Sequence, residues 1–170
     1  YEMGATATRM LLDLIGNLHA ASGGALALVT GRSLSDLEHH LGAMRMPLAG
    51  QQGLERRDAT GRLWIHAAPP AAKFTIKEAL ASVLTRHQGL LLEDKGLTLA
   101  LHYRQAPHLA AYAHRLMGAL VRSEGPDLEI QRGKRVVEIK PAGFDKGTAV
   151  AEYLSEPPFK GRRPVFIGDD

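Results

Sequence analysis

Apolar residues in the first twenty positions recur at helical spacing, as Met10, Leu14 and Leu18 illustrate, and this predicts an amphipathic helix. The serine and two glycines at 22–24 end that helix. The run at 25–29 that follows is apolar at every position, which is typical of a central parallel strand covered by helices on both faces. The chain therefore opens with a helix, a turn and a buried strand.

The next residues predict that this strand belongs to a β-α-β unit. Ser33 is a favourable N-cap for a helix that continues to Leu41, and residues 46–50 form a second short strand. Two strands connected by one helix favour an α/β fold with a parallel sheet.

Between residues 55 and 139 the pattern changes to hairpins and helices. Hairpins are predicted at 55–67, 90–103 and 128–139, with helices between them at 71–87 and 107–121. Hairpins with two interposed helices indicate a small α+β layer, which we interpret as an insertion into the parallel-sheet core.

The last thirty residues return to the first pattern. Asp145 predicts the N-cap of a helix from Lys146 to Leu154, which the prolines at 157 and 158 end, and residues 164–167 predict another buried strand. The predicted organisation is a core made of residues 1–57 and 139–170, interrupted by an α+β insertion at 58–138.

Composition narrows the classes of function. The 170 residues carry 21 Lys and Arg against 18 Asp and Glu, a formal net charge of +3 without a long basic run, which argues against a nucleic-acid partner. The longest apolar stretch, at 25–29, is far too short to cross a bilayer. The absence of cysteine rules out disulfides, thiol nucleophiles and cysteine-bound zinc, and it fits a cytoplasmic location. Nothing in the sequence indicates the oligomeric state.

Two short segments could carry chemistry at the carboxyl ends of the parallel strands, where open α/β sheets bind ligands, and a third lies at the start of a helix. Thr30, Gly31 and Arg32 join a strand to a helix and could hold a phosphoryl oxygen, or they could form a plain turn. Asp169 and Asp170 are adjacent carboxylates that could share Mg²⁺, or they could be an N-cap pair.

The third segment contains Lys146, in the first turn of its predicted helix. The helix dipole disfavours a cation there, and an anionic ligand would reverse that penalty. A solvated lysine is the alternative.

A set of polar residues lies on the predicted strands of the insertion. Alternation places His102 and Arg104 on one strand face, and Lys134 and Glu138 on one face of another strand. Such residues form either the solvated face of a sheet or a site for a sugar or sugar phosphate. The whole set is Glu93, Lys95, His102, Arg104, Lys134 and Glu138.

Six collinear blocks resemble trehalose-6-phosphate phosphatases, a family of the haloacid dehalogenase-like superfamily. The blocks are LVTGRS at 28–33, PLAGQQGLERR at 47–57, ALHYR at 100–104, GKRVVEIKP at 133–141, DKG at 145–147 and FIGDD at 166–170. The resemblance implies a Rossmann-like core of the haloacid dehalogenase type with an inserted, mobile α+β cap. It also implies Mg²⁺-dependent hydrolysis of trehalose 6-phosphate to trehalose and phosphate.

The resemblance assigns roles to individual residues. Thr30 matches the phosphate-binding hydroxyl, with Gly31 and Arg32 beside it, and Lys146 matches the lysine that neutralises the charge of the nucleophile and the phosphoryl group. Asp169 matches the metal-binding carboxylate, with Asp170 next to it. Glu93, Lys95, Lys134 and Glu138 resemble cap residues that hold the sugar hydroxyls, and the residues expected to bind the substrate are Glu55, Glu93, Lys95, His102, Arg104, Lys134 and Glu138.

The chain departs from the family pattern in three places. The nucleophile motif Asp-x-Asp-Gly-Thr does not occur in it, and Asp13 lies within the first predicted helix. Gln52 stands where the family has His or Asn, and the chain stops before the Thr-Asp that normally follows Gly-Asp-Asp. We therefore expect an internal fragment with an incomplete core, inactive by itself. The alternatives are another sugar-phosphate phosphatase of the superfamily and a non-catalytic sugar-phosphate-binding module.

Overall fold

The computed structural model describes residues 5–42 and 44–168. The chain forms two compact units, of which unit 1 contains the residues up to Ile65 and those from Asp145 onward, and unit 2 is His66–Phe144. These boundaries differ from the expected ones at 57/58 and 138/139. The first differs because the hairpin after residue 55 pairs with a strand of unit 1 rather than with the insertion.

Unit 1 contains a four-stranded sheet in the order β1-β2-β3-β4. The strands are β1 (Leu28–Val29), β2 (Leu48–Gly50), β3 (Glu55–Arg57) and β4 (Leu63–Ile65). β1 and β2 are parallel, with Leu28 opposite Leu48, whereas β3 and β4 continue the sheet antiparallel. The predicted β-α-β unit is thus confirmed.

Helices cover both faces of β1 and β2. Unit 1 contains α1 (Ala5–Ala21), α2 (Leu34–Leu41) and α5 (Lys146–Ser155). Leu28 and Leu48 pack with residues of α1 and α2, whereas Val29 and Ala49 pack with residues of α5. The alternation of side chains along a strand explains why every position of this run is apolar.

The predicted strand at 164–167 is wrong. None of these residues is in a strand, and Val165, Phe166 and Ile167 are 84%, 67% and 88% exposed. Residues 164–167 form no strand because a strand requires a neighbouring strand for its backbone hydrogen bonds. Within residues 5–42 and 44–168 the only strand paired with β1 is β2. In this described sheet β1 therefore lies at an edge, although the sequence predicted a central strand.

Unit 2 is a two-layer α+β structure. Its sheet has the order β5-β6-β8-β7 and is antiparallel throughout. The strands are β5 (Leu91–Asp94), β6 (Leu99–His102), β7 (Leu128–Gly133) and β8 (Val136–Pro141), and the helices are α3 (Pro70–Arg86) and α4 (Ala110–Glu124). Ile76, Leu80 and Met117 of the helices pack against Leu101 and Val137 of the sheet. The helices cover one face and leave the polar side chains on the other.

Two positions that the sequence placed on strands lie in turns. β6 ends at His102, so Arg104 is an exposed turn residue. Lys134 and Arg135 form the turn between β7 and β8, with a left-handed φ of 61° at Arg135. The strand-face assignments of Arg104 and Lys134 are therefore wrong.

No helix in the described part of the chain is long and apolar enough to cross a membrane.

Candidate functional site

The Thr30 loop follows β1 directly and is held against the end of β2. The backbone N–H of Thr30 donates to the carbonyl of Ala49 at 2.9 Å, and the Thr30 hydroxyl oxygen accepts from the N–H of Arg32 at 3.2 Å. A hydroxyl oxygen that accepts one bond still has its own proton to donate. Ser33 then caps α2 by accepting from Asp36 N at 3.2 Å. The loop thus places the Thr30 hydroxyl just before the start of α2.

A second loop, Gln51–Gly53, lies beside the Thr30 loop and has an unusual backbone. Gln51, Gln52 and Gly53 have φ values of 45°, 62° and 99°, and the first two are in a region that side chains rarely adopt. Gln51 N donates to the Arg32 carbonyl at 2.7 Å, and Gln52 N donates to the Thr30 carbonyl at 3.0 Å. Strain of this kind is often found at functional sites, where neighbouring contacts maintain it.

Gly31 and Gly53 allow close approaches that a larger residue would block. A Cβ at Gly31 would lie 2.6 Å from the Gln52 amide nitrogen, so the missing side chain makes room for Gln52. A Cβ at Gly53 would overlap the carbonyl oxygen of Asp145, and its φ also disfavours other residues. The Gln51–Gly53 loop therefore contacts both the Thr30 loop and the start of α5.

Lys146 is the first residue of α5, as the sequence predicted. Asp145 caps the helix by accepting from Thr148 N at 2.7 Å, while the Thr148 hydroxyl accepts from Asp145 N at 2.8 Å. This reciprocal cap fixes the first turn of the helix. Unit 1 thereby brings the Thr30 loop, the Gln51–Gly53 loop and the Lys146 end of α5 into one cluster.

Glu55 belongs to this cluster and not to the sheet of unit 2. One oxygen of its carboxylate accepts from Leu34 N at 2.8 Å and from the Gln51 amide at 3.0 Å. This carboxylate, which the sequence predicts to bind the substrate, is thus bonded to the start of α2 and to the Gln51–Gly53 loop. The Gln51 side-chain oxygen, in a residue only 6% exposed, has no hydrogen-bond partner among the described residues. Sequence reasoning missed this buried acceptor.

Arg56 anchors α5 and was also missed. This buried guanidinium lies 2.6 Å from the Glu152 carboxylate, 2.5 Å from the Glu156 carboxylate and 4.9 Å from the ring centre of Tyr153. Burial lowers the pKa of Arg56, but the hydrogen bond that Arg56 donates to Glu156 and the charge of the nearby carboxylates outweigh this effect and raise the pKa. Arg56 therefore joins β3 to the helix that carries Lys146.

The uncovered face of the unit 2 sheet carries two polar pairs. His102 Nε2 lies 2.7 Å from Glu93 Oε2, and Lys95 Nζ lies 3.3 Å from Glu138 Oε2. The Thr98 hydroxyl donates to the other oxygen of Glu138. In the strand register Glu93 is opposite Ala100, and Ala100 is opposite Glu138, so both pairs lie on the same face.

The described part of the chain contains no candidate metal site. Among residues 5–42 and 44–168 there is no group of three or more His, Asp or Glu side chains that could hold a metal ion. The candidate Mg²⁺ ligands Asp169 and Asp170 lie outside the described residues.

Comparisons with known proteins agree with this arrangement of loops and sheets. A family model described as trehalose-phosphatase matches residues 2–170. The chain is 47% identical over 149 residues to a probable trehalose-phosphate phosphatase of Sinorhizobium fredii, covering 87% of the chain and 56% of that protein. It is 45% identical over 157 residues to trehalose-6-phosphate phosphatase of Escherichia coli, covering 90% of the chain and 57% of that protein. The chain thus spans somewhat more than half the length of these relatives.

Solved structures support the fold. The C-terminal domain of Candida albicans trehalose-6-phosphate phosphatase matches with a TM-score of 0.67 at 22% identity, over 80% of this chain and 50% of that chain. A phosphatase of the haloalkanoate (HAD) superfamily from Bacteroides thetaiotaomicron matches with a TM-score of 0.56 at 17% identity, over 85% of this chain and 63% of that chain. The expected α/β fold of the haloacid dehalogenase type is therefore confirmed.

Proposed function

The chain belongs to the trehalose-phosphatase family, and from this premise we propose that the protein hydrolyses trehalose 6-phosphate to trehalose and phosphate. The proposed phosphoryl-binding groups belong to unit 1, and the proposed sugar-binding groups belong to unit 2.

The proposed phosphoryl-binding groups are Thr30, Gly31, Arg32 and Lys146. The Thr30 hydroxyl donates to a phosphoryl oxygen, and Gly31 follows it in the same loop. Lys146 and Arg32 supply positive charge, which is worth most where charge accumulates during phosphoryl transfer. Arg32 lies 2.8 Å from Asp36, and a dianionic phosphoryl group would compete for it. These residues bind and neutralise the phosphoryl group, and none of them is a carboxylate nucleophile.

The proposed sugar-binding groups are centred on the two polar pairs of unit 2. Carboxylates accept hydrogen bonds from sugar hydroxyls, and Lys95 and His102 donate to hydroxyl oxygens. The observation that carries the proposal is the ion pair between Lys95 and Glu138, with Thr98 on the same carboxylate. It keeps donors and acceptors side by side on the sheet face opposite α3 and α4. Arg104 and Lys134 complete the proposed set from exposed turns.

The test is a substrate panel with the full-length protein. Phosphate release from trehalose 6-phosphate, sucrose 6-phosphate, glucose 6-phosphate and p-nitrophenyl phosphate is compared with Mg²⁺ present. We expect the highest kcat/KM with trehalose 6-phosphate. A higher value with another sugar phosphate would assign the protein to a sibling activity of the superfamily.

The metal, the location and the partners belong to the same proposal. We propose Mg²⁺ as the cofactor with Asp169 and Asp170 as ligands, a cytoplasmic location, and a small-molecule sugar phosphate as the partner, without nucleic acid or membrane. Bound Mg²⁺ would offset negative charge on the phosphoryl group. Calorimetric titration of Mg²⁺ into the protein and into Asp169→Asn tests the ligand assignment.

A second function is favoured for residues 1–170 by themselves. No Asp-x-Asp-Gly-Thr occurs among them, and covalent phosphoryl transfer requires a positioned nucleophile. By themselves they would act as a sugar-phosphate-binding module. Binding of trehalose 6-phosphate by the 170-residue chain without phosphate release is the expected result, and clear turnover would contradict it.

A further inference from the structure

Three charged residues of unit 2 form a cluster next to the proposed sugar-binding set. Lys73 and Lys77 lie one turn apart on α3, and Asp94 ends β5. Lys77 Nζ donates to one oxygen of Asp94 at 2.8 Å, and Lys73 Nζ donates to the other oxygen. Two lysines four positions apart on a helix repel each other, and Asp94 compensates both.

Lys73 makes one contact that Lys77 does not make. Its ammonium group also donates to the backbone carbonyl of Gly96. Lys73 therefore holds both residues that flank Lys95, whereas Lys77 contacts only the carboxylate of Asp94 among these three residues. The two lysines thus form a matched pair. They have the same charge and lie on the same helix, but only Lys73 also contacts the Gly96 carbonyl.

The turn that Lys73 holds has a defined conformation. Asp94 accepts from Gly96 N at 3.0 Å, and Lys95 N donates to the Thr98 carbonyl at 3.1 Å. Gly96 has a φ of 84°, which suits glycine in a tight turn. Burial raises the pKa of Asp94, but the hydrogen bonds from Lys73 and Lys77 outweigh this and keep it well below its ordinary value. Asp94 is therefore ionised throughout the neutral range.

We propose that Lys73 is a positioning residue for the substrate: by holding Asp94 and Gly96 it fixes the backbone of Lys95 and so keeps the Lys95 ammonium beside Glu138. This inference rests on the proposed function, because it gives Lys95 and Glu138 their task at the sugar. Lys73 acts through Lys95 and does not itself contact the sugar.

The closing experiment compares Lys73→Met with the matched control Lys77→Met in the full-length protein. Steady-state kinetics are measured with trehalose 6-phosphate and with p-nitrophenyl phosphate, which has no sugar to reach Lys95. We expect Lys73→Met to raise KM for trehalose 6-phosphate by about fivefold and to leave the aryl phosphate unchanged, since a displaced contact weakens binding of the sugar alone. Lys77→Met should stay within about twofold of wild type on both substrates, as is usual for an exposed ion pair.

A double variant tests whether Lys73 acts through Lys95. If it does, the double variant Lys73→Met/Lys95→Met should have the same KM as Lys95→Met alone. Lys95→Met already removes the ammonium group that Lys73 positions, so the loss of Lys73 should have no further effect. Lys73→Arg, which keeps a cation at this position, should recover part of the wild-type KM.

The outcomes separate the inference from the proposed function. If wild type shows no preference for trehalose 6-phosphate, the proposed function falls and this inference falls with it. If wild type shows the preference but Lys73→Met behaves like Lys77→Met, the inference alone is overturned. Equal losses on both substrates, additive effects in the double variant, or failure of Lys73→Met to fold would also overturn it.

Discussion

The Glu55 carboxylate accepts a hydrogen bond from the backbone N–H of Leu34, at 2.8 Å and 21 positions away in sequence. Leu34 begins α2, where backbone N–H groups have no partner within the helix. The same oxygen of Glu55 also accepts from the Gln51 side chain. One carboxylate thus connects the helix after the Thr30 loop to the Gln51–Gly53 loop, so Glu55 supports the proposed phosphoryl-binding part of the site.

The first prediction follows from this connection. Glu55→Ala should lower kcat/KM by about tenfold or more on trehalose 6-phosphate and on p-nitrophenyl phosphate alike, because misplaced phosphoryl-binding loops affect every substrate. The orphaned Leu34 N–H should also lower the free energy of unfolding by about 1–3 kcal/mol, measured by urea denaturation. Glu55→Gln keeps an acceptor oxygen and should recover much of both. A loss confined to trehalose 6-phosphate would contradict this prediction, because it would mean that Glu55 binds the sugar directly.

The second prediction concerns Lys146, at the capped start of α5. Removing a cation that stabilises phosphoryl charge should lower kcat by about a hundredfold or more in Lys146→Ala. The loss should appear with every phosphate ester. Lys160→Ala, which removes an exposed lysine of the same unit, is the control and should retain activity. Near-normal turnover in Lys146→Ala would remove this residue from the site.

The third prediction concerns Glu138 on the uncovered sheet face. Glu138→Ala removes the partner of Lys95 and Thr98, and should lower kcat/KM for trehalose 6-phosphate by about tenfold or more, as expected for a charged hydrogen-bonding group. The value for p-nitrophenyl phosphate should be unchanged, because that substrate has no sugar. Glu78→Ala, at an exposed position on α3, serves as the control. Equal losses on both substrates would make Glu138 structural.

Local signals in the sequence predicted much of the fold. Ser33 and Asp145 cap α2 and α5 as expected, since a cap depends on residues within one turn of it. The uninterrupted apolar run before Thr30 correctly predicted helices on both faces of β1 and β2. The lengths of strands depend on partners, however, and β1 has only two residues although five are apolar.

Contacts between distant residues could not be predicted. The sequence predicts only that Glu55 binds the substrate, because charge and position in a motif do not reveal a bond to Leu34. Arg56 gave no signal, since an arginine in a three-residue strand is usually solvated. The turn positions of Arg104 and Lys134 were missed because alternation was extended beyond the ends of the strands. Local pattern thus predicted the elements, and tertiary contacts determined what the charged residues do.

The fourth prediction concerns acid stability at the β3–β4 turn. Asp58 accepts from Thr60, from Arg62 N and from the Trp64 indole. Burial raises the pKa of Asp58, but these hydrogen bonds outweigh it and lower the pKa to about 2 from 3.8. Because the folded-state pKa is depressed, the stabilisation is present above the unfolded pKa of 3.8 and is lost as the pH falls toward 2.

The direction of this pH dependence of stability can be tested with Asp58→Asn. The difference in unfolding free energy between wild type and variant should be largest at about pH 6. It should shrink as the pH falls from about 4 toward 2, the interval between the unfolded and the folded pKa of Asp58. Urea denaturation at several pH values measures it. A difference that stayed constant over this range would show that ionised Asp58 does not contribute to stability through these bonds.

The last prediction tests Arg56, which connects β3 to α5 through Glu152 and Glu156. Arg56→Met keeps an apolar stem of similar length but leaves two partly buried carboxylates without their cation. Breaking a buried ion pair on one side costs about 3–5 kcal/mol, and because both carboxylates are partly exposed we expect about 2 kcal/mol here. Arg56→Lys should recover only part of this, because an ammonium group cannot match the fixed fork of a guanidinium.

The same variant has a kinetic consequence. Because α5 carries Lys146 at its start, a displaced helix should lower kcat for trehalose 6-phosphate and p-nitrophenyl phosphate in equal proportion. Replacing both Glu152 and Glu156 by Gln in the Arg56→Met background removes the two carboxylates that Arg56 neutralises, and should restore stability more fully than activity. Restoration of both to the same extent would show that α5 keeps its place without Arg56, and that Arg56 contributes to stability alone.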